Sequence, residues 1–264
     1  MPELPEVETI RCELISLVEG REICSIEIAD ERFAIPATDI EGKKICTCLR
    51  RGKYLFFLLS GGTTLLIHLG MTGKLLFTNE RTQFPYLRVV VILDGGFLHF
   101  TDMRTFGKIA LLDRGEMVEC WKKLGVDPLS KGFKENTFIR LLGKSKTRIK
   151  DFLLDQRKVS GLGNIYVCEA LFRAGIHPQR RTYSLTEKEM TSLYREVVLV
   201  LQEALQGGGT TIRDYRRSDA KRGSFQGKLC VYGREGHPCP ACGQAIERCV
   251  FSSRSSYFCP VCQV

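Results

Sequence analysis

The sequence predicts an α+β protein of several domains, and three observations lead to this prediction. The first residues have the periodicity of one amphipathic helix, and strand-like segments separated by glycine turns follow it up to about residue 112. Helical periodicity then takes over, and two Cys-x-x-Cys pairs close the chain. We therefore expect an N-terminal helix with a β-sandwich in residues 1–130, a helical domain in 131–228 and a small metal-binding module in 229–264.

The N-terminal helix is predicted over residues 2–19. Its apolar positions recur every three or four residues, and Gly20 then ends the pattern. These positions are Leu4, Val7, Ile10, Leu14 and Leu17.

The next ninety residues predict a series of short strands. Gly-Gly and Asp-Gly-Gly turns separate them, and this close spacing is typical of a sandwich or a flattened barrel. The segments are ICSIEIAD, YLFFLLS, TTLLIHLG, LRVVVIL and FLHF.

Helices are predicted after Trp121. Residues 135–155 and 163–174 have helical periodicity, and Gly175 with Pro178 stops the second helix. Thr186 and Glu189 have the spacing of a capping box in front of a further amphipathic helix.

Charge indicates the class of partner. The formal net charge is +9, and two stretches, 140–158 and 213–228, hold most of their charges as Lys and Arg. Such clusters neutralise phosphates, so they favour a nucleic acid over a merely solvated basic surface.

No apolar run approaches the roughly 20 residues of a membrane span. The start of the sequence does not have the pattern of a leader peptide, so we expect a cytoplasmic protein.

The last four cysteines carry the strongest local signal. Two Cys-x-x-Cys pairs separated by sixteen residues fit tetrahedral zinc with a hairpin between the pairs. Four protein ligands leave no open position, which indicates a structural ion; a redox Cys-x-x-Cys is the weaker alternative. The ligands would be Cys239, Cys242, Cys259 and Cys262. We interpret most of the other eight cysteines as small buried hydrophobic residues.

Other motifs indicate DNA contacts less specifically. GLGNIY places Asn164 at a glycine-rich helix start, which favours a phosphate and is also an ordinary helix cap. Met71, Arg104 and Phe106 stand beside turn glycines. They are either ordinary core or surface residues, or a wedge that unstacks bases of DNA. Lys53 begins a strand, where it is either an exposed lysine or a phosphate contact.

The first eight residues, MPELPEVE, hold three carboxylates and two prolines. An ordinary helix start favours acidic residues but does not need Pro2 directly after Met1. Further motifs follow this segment in order along essentially the whole chain. They are RRGKYL, HLGMTG, DMRTFG, LGVDPLS, GLGNIYVCEALFRAGIHP, GGTTIRDY and the cysteine pairs. Together they resemble the bacterial formamidopyrimidine-DNA glycosylases, the Fpg or MutM group of the Fpg/Nei superfamily.

The resemblance implies an enzyme that removes oxidised purines from damaged double-stranded DNA. It implies a β-sandwich, a helix-two-turns-helix domain and a β-hairpin zinc finger that holds one structural Zn²⁺. In this family Met1 is removed and Pro2 becomes the nucleophile, which forms a Schiff base and cleaves the strand by β,δ-elimination. Glu3 matches the general acid/base, and Glu6 a carboxylate that orients the site. No family role is carried over to Glu8, which is expected on the surface.

The resemblance also implies the DNA contacts. Lys53, which the family places at the catalytic site, contacts the phosphate beside the lesion, and Met71, Arg104 and Phe106 fill the void left by the everted base. The remaining backbone contacts are His68, Asn164, Arg254 and Lys150, with Arg254 also counted at the catalytic site. Main-chain groups of a capping loop would read the lesion base at Thr210, Ile212, Arg213, Asp214 and Tyr215. We expect a monomer, associated with the bacterial nucleoid.

The chain departs from the family pattern at four places. Phe84-Pro85-Tyr86 stands where His-x-His is common, Ala220 and Ser224 stand where Gly and an aromatic are usual, and the finger tip reads SSRSSYF. Three alternatives stay open: the Nei branch, which excises oxidised pyrimidines, a non-catalytic sensor of damaged DNA that retains Met1, and a zinc-ribbon RNA binder.

Overall fold

The computed structural model describes residues 1–212 and 215–264, and these residues contain six α-helices and ten β-strands. The helices are α1 (Leu4–Val18), α2 (Arg114–Lys122), α3 (Glu135–Gly143), α4 (Ile149–Leu154), α5 (Asn164–Arg173) and α6 (Glu187–Gln206). The strands are β1 (Ile23–Ile28), β2 (Ile45–Arg51), β3 (Tyr54–Leu59), β4 (Thr64–His68), β5 (Lys74–Thr78), β6 (Leu87–Leu93), β7 (Gly96–Thr101), β8 (Lys108–Leu112), β9 (Glu247–Phe251) and β10 (Arg254–Phe258).

The described chain forms two compact units. The first contains residues 1–123 and 205–226, and the second contains residues 124–204 and 227–264. Residues 205–226 follow α3–α6 in the chain, yet their contacts place them with the N-terminal residues. None of the helices in the described part of the chain is long and apolar enough to cross a membrane.

The first unit is built on two antiparallel four-stranded sheets. Their strand orders are β1-β6-β7-β5 and β2-β3-β4-β8. Val7, Ile10 and Leu14 of α1 belong to the same buried core as Phe57 of one sheet and Phe100 of the other. The two sheets therefore enclose one core, as in a sandwich.

Gly61 and Gly62 connect β3 to β4 at the place where a break between two strands was predicted. Both glycines have a positive φ, 79° and 85°, which residues with a Cβ rarely adopt. The turn therefore divides the longest apolar stretch of the sequence into two paired strands.

The helical predictions are partly confirmed. The helices predicted at residues 163–174 and after Thr186 form, and the backbone N–H of Thr186 donates to Glu189 Oε2 at 2.7 Å. The helix predicted over 135–155 is wrong as one element, because α3 ends at Gly143 and α4 begins only at Ile149. Helical structure also begins earlier than predicted, at α2, where the Asp113 carboxylate caps the helix by accepting from Glu116 N.

The second unit combines α3–α5 and most of α6 with the C-terminal hairpin. Helices α4 and α5 are joined by the turns of residues 155–163, as a helix-two-turns-helix motif requires. Strands β9 and β10 pair antiparallel through a turn at Ser252 and Ser253, which confirms the hairpin predicted between the cysteine pairs.

Candidate active site and metal centre

The start of α1 brings three residues of the MPELPEVE segment together. Pro2, Glu3 and Glu6 are all buried, whereas Met1 is 49% exposed. The backbone N–H of Glu3 donates to Glu6 Oε2 at 2.7 Å, and the backbone N–H of Thr210 donates to Glu6 Oε1 at 2.7 Å. The Glu6 carboxylate therefore links the chain terminus to residues more than two hundred positions further along the sequence.

Both oxygens of the Glu6 carboxylate thus accept from backbone N–H groups. Tyr215 lies close to this charge, and its hydroxyl donates to Gly208 O at 3.1 Å. Burial, with the charges of Glu6 and Glu13 adding to it, raises the pKa of Tyr215 well above its usual value. Tyr215 is thus a neutral donor that supports the segment carrying Thr210.

Lys53 and His68 lie side by side at the ends of neighbouring strands. His68 of β4 pairs with Tyr54 of β3, next to Lys53, and burial followed by the charges of Lys53 and Lys108 lowers the pKa of His68 to about 4. His68 Nδ1 accepts the Gly70 N–H at 3.1 Å. A neutral His68 therefore carries its proton on Nε2, as a donor suited to a phosphate oxygen.

Met71, Arg104 and Phe106 are brought together on two adjacent loops and are exposed. The guanidinium of Arg104 lies 4.8 Å from the centre of the Phe106 ring. Gly70 allows this approach, because a Cβ at Gly70 would come within 2.4 Å of the Phe106 carbonyl carbon. The loop that carries Met71 thus lies directly against the loop that carries Arg104 and Phe106.

Asp102 holds the loop that carries Arg104 and Phe106. Its carboxylate is fully buried and accepts from Thr72 Oγ1 at 2.5 Å and from Gly107 N at 2.7 Å. The N–H of Arg104 lies 3.2 Å from the same carboxylate. Sequence reasoning did not single out this aspartate, although it directly precedes the Met-Arg-x-Phe segment.

Arg254 is the first residue of β10 and lies exposed beside the hairpin turn. The strand behind it is held by two residues that were predicted to contact DNA. Asn164 Nδ2 and Lys150 Nζ each donate to the carbonyl oxygen of Ser255 at 2.8 Å. Lys150 is 1% exposed and also donates to Ser256 Oγ at 2.5 Å. The Lys150 ammonium group thus supports the hairpin strand, and its DNA contact stays a prediction.

The predicted lesion-reading residues lie in the segment that follows α6. Thr210 and Tyr215 are buried, and Ile212 is 46% exposed. Arg213 and Asp214 lie outside the described residues. The described part therefore brings Thr210 and Tyr215 to the Glu6 carboxylate and leaves the side chain of Ile212 exposed.

The four predicted metal ligands form one cluster. The sulfur atoms of Cys239, Cys242, Cys259 and Cys262 all lie within 4.8 Å of one another. Two of the separations are 3.9 Å, between Cys239 and Cys262, and 3.5 Å, between Cys242 and Cys259. Ligands about 2.3 Å from a tetrahedral zinc lie about 3.8 Å apart, so the cluster fits Zn²⁺.

Three acidic residues have contacts that sequence reasoning missed. Glu13 of α1 accepts from Arg217 and Ser218, and the buried Glu169 accepts from the N–H groups of residues 230–232. Glu8 is not the surface residue that was expected, since its side chain is 15% exposed and pairs with Arg11 and Arg50. The only signal in the sequence for the contacts of Glu13 was its spacing of seven residues from Glu6.

Known domain families match almost the full length of the chain. Residues 1–109 match the formamidopyrimidine-DNA glycosylase N-terminal domain, and residues 124–216 match the formamidopyrimidine-DNA glycosylase H2TH domain. Residues 236–264 match the zinc finger found in FPG and IleRS. The finger match and the geometry of the four cysteines agree on a zinc site.

Relatives of known name extend over the whole chain. The formamidopyrimidine-DNA glycosylase of Thermus thermophilus is 46% identical over 100% of this chain and 98% of its own length. The Desulfitobacterium hafniense protein of the same name is 43% identical, with 100% of both chains covered.

Solved structures agree with these matches. The MutM (Fpg) protein of Thermus thermophilus superimposes with a TM-score of 0.90 at 45% identity, covering 99% of this chain and 98% of that one. A Lactococcus lactis Fpg variant in complex with Fapy-dG-containing DNA has a TM-score of 0.93 at 37% identity, with 99% of both chains covered.

Proposed function

Since the chain belongs to the formamidopyrimidine-DNA glycosylase family, we propose that it excises oxidised purines, 8-oxoguanine and formamidopyrimidines, from duplex DNA. It is a bifunctional enzyme, a DNA glycosylase and an abasic-site lyase. The observation that carries the proposal is the buried Pro2–Glu3–Glu6 group, joined through Glu6 to the segment at Thr210.

Pro2 is the nucleophile in this proposal. Removal of Met1 frees its secondary amine, whose nitrogen attacks C1′ of the damaged nucleoside as the bond to the base breaks. Glu3, which is 2% exposed, protonates the ring oxygen O4′ so that the sugar opens and a Schiff base forms. The cationic imine acidifies the C2′ proton, and its loss breaks the C3′–O bond by β-elimination. A second elimination breaks the C5′–O bond.

Glu6 orients this chemistry. It holds the Glu3 backbone through one oxygen and the Thr210 backbone through the other, at 2.7 Å each. Because Thr210 begins the segment that would read the lesion base, occupation of the base site and the position of the acid/base are coupled through one carboxylate. The main-chain groups at Thr210, Ile212 and Tyr215, with those of Arg213 and Asp214, then select the base.

DNA is held by contacts to phosphates and by an inserted wedge. Lys53 and the Nε2–H of neutral His68 are the phosphate donors of the first unit, and Arg254 and Asn164 are those of the second. Met71, Arg104 and Phe106 occupy the gap left by the everted nucleotide, where Arg104 pairs with the orphaned cytosine.

Zinc has a structural role in this proposal. The four cysteines would hold one ion at the ends of the β9–β10 hairpin, which would fix the position of Arg254. The enzyme acts as a monomer on damaged double-stranded DNA in the bacterial nucleoid. A second substrate class, oxidised pyrimidines, is favoured by one observation: a similar Lactococcus lactis Fpg structure, with a TM-score of 0.91, is a complex with oxidised-pyrimidine-containing DNA.

Borohydride trapping tests the proposal. The processed protein is incubated with a duplex that holds 8-oxoguanine opposite cytosine, and borohydride reduces any Schiff base to a stable protein–DNA adduct. We expect the wild-type protein to form the adduct, and the Pro2→Gly variant and a Met1-retaining form to lose it. Binding without an adduct or strand cleavage on any oxidised purine would favour the non-catalytic sensor. Binding to RNA in preference to damaged duplex would favour the RNA binder.

A further inference from the structure

Residues 207–224, here called the capping loop, begin and end beside the C-terminal end of α6. The N–H of Ser224 donates to the carbonyl oxygen of Gly207 at 2.9 Å, and a Cβ at Gly223 would come within 2.2 Å of the Gly209 carbonyl oxygen. The base of the loop is thus closed by backbone contacts. Glu6 of α1 fixes its start through the N–H of Thr210.

A second carboxylate on α1 fixes the returning part of the loop. Glu13 Oε1 accepts from Arg217 Nε at 2.5 Å, and Glu13 Oε2 accepts from both the backbone N–H and the hydroxyl of Ser218, at 2.9 and 2.7 Å. The side chain of Glu13 is 18% exposed. The carbonyl oxygen of Ser218 also accepts a hydrogen bond from Phe77 N of β5 at 3.3 Å.

Glu6 and Glu13 reach the same loop because of their spacing. Seven residues correspond to about two helical turns, so both carboxylates lie on one face of α1. An open groove of about 470 Å³ lies beside these polar contacts, between this face and the loop. Its lining includes Thr9, Cys12 and Glu13 of α1 and Gly208 and Arg217 of the loop.

We propose that Glu13 is a positioning residue for lesion recognition, which holds the capping loop against the catalytic helix through Arg217 and Ser218. This inference rests on the proposed function, in which the main chain at residues 210–215 reads the damaged base. With both ends of that segment fixed to α1, less conformational entropy is lost when the base is captured. Base excision therefore depends on Glu13, whereas strand cleavage at an abasic site, where there is no base to read, does not.

A Glu13→Gln variant tests this dependence. Arg217 Nε–H and Ser218 N–H both donate to Glu13, so an amide in place of the carboxylate sets an NH2 group against at least one donor. We expect single-turnover excision of 8-oxoguanine to fall about tenfold, which is what losing one charge-assisted hydrogen bond gives, with abasic-site cleavage unchanged. Glu19→Gln is the matched control: the same charge is removed at an exposed position near the end of the same helix.

Ser218→Ala approaches the same contact from the loop. It removes only the hydroxyl donor, so it should lower excision less than Glu13→Gln, and the double variant should be no worse than Glu13→Gln alone. Equal losses of excision and abasic-site cleavage, or no loss in either variant, would overturn the proposal. Failure of the wild-type protein itself to excise oxidised purines would instead refute the proposed function.

Discussion

Glu169 is the residue whose replacement has the most clearly calculable effect. It lies on α5, is fully buried, and accepts three backbone hydrogen bonds from the segment that enters the zinc finger. Glu169 Oε1 accepts from Val231 N at 3.0 Å and Tyr232 N at 2.8 Å, and Oε2 accepts from Cys230 N at 2.8 Å. We consider the isosteric change Glu169→Gln.

Glutamine has one acceptor oxygen where glutamate has two. Its carbonyl can retain the N–H groups of Val231 and Tyr232, but its NH2 group then faces the N–H of Cys230. An unsatisfied buried donor costs about 1–3 kcal/mol, and loss of the charge weakens the two remaining bonds by about 1 kcal/mol each. Glu169→Gln also removes the cost of burying a charge, which offsets part of this loss. We expect a net destabilisation of about 2–3 kcal/mol.

Thermal unfolding of the zinc-loaded protein measures this change. At about 3 °C per kcal/mol, the transition of the second unit should fall by roughly 6–9 °C. Glu196→Gln on α6 is the control, because no hydrogen bond or ion pair of Glu196 is found among the described residues. An equal transition temperature for Glu169→Gln and the wild-type protein would refute the reasoning that three N–H groups depend on this carboxylate.

The remaining predictions concern protonation, metal and backbone strain. His68 has a folded-state pKa of about 4 against an ordinary 6.5, so the unfolded chain takes up the proton first as the pH falls. The contribution of neutral His68 to the free energy of unfolding is complete above pH 6.5, and about 3 kcal/mol of it is lost on going to pH 4. Denaturant titrations of His68→Gln should lack this pH-dependent loss. The same pH profile in His68→Gln and the wild-type protein would contradict the prediction. Zinc removal by a chelator, or Cys239→Ser, should abolish DNA binding in a gel-shift assay, and full activity of Cys239→Ser would count against a structural ion. Ala220 has a φ of 64°, so Ala220→Gly should stabilise the first unit by about 0.5 kcal/mol in thermal unfolding, whereas a clear loss would argue against the left-handed conformation.

Local patterns in the sequence predicted the parts of the fold that local physics determines. The break between β3 and β4 follows from two glycines, and the metal centre follows from two cysteine pairs whose spacing suits one ion. The acidic N-terminal segment was separated from an ordinary helix start by Pro2, and the structure places Pro2 beside two buried carboxylates.

Contacts between distant residues were beyond local patterns. Lys150 belongs to a basic stretch, yet the carbonyl of Ser255, over a hundred residues away, holds its ammonium group in the interior. Burial lowers the pKa of Lys150, because the interior disfavours the charged form of the amine. The fixing of the capping loop by Glu13 is hidden for the same reason, because residues 205–226 return to a unit whose other residues all precede position 124.

Two departures from the family pattern, Ala220 and the finger tip, share one physical property. Ala220, Ser252 and Ser253 have positive φ values of 64°, 49° and 61°. Glycine adopts this conformation without steric cost, whereas residues with a Cβ rarely do. Both turns therefore have a left-handed backbone at positions where the side chains disfavour it.

Helix α1 also constrains the length of the chain between two of its residues. Glu6 and Glu13 reach one loop because seven residues separate them, and each residue turns the helix by about 100°. An inserted or deleted residue between them would swing Glu13 away from Arg217 and Ser218, whereas substitutions at the intervening positions leave that direction intact. In the evolution of this protein, we expect this segment to accept conservative changes of residue identity and to reject changes of residue number.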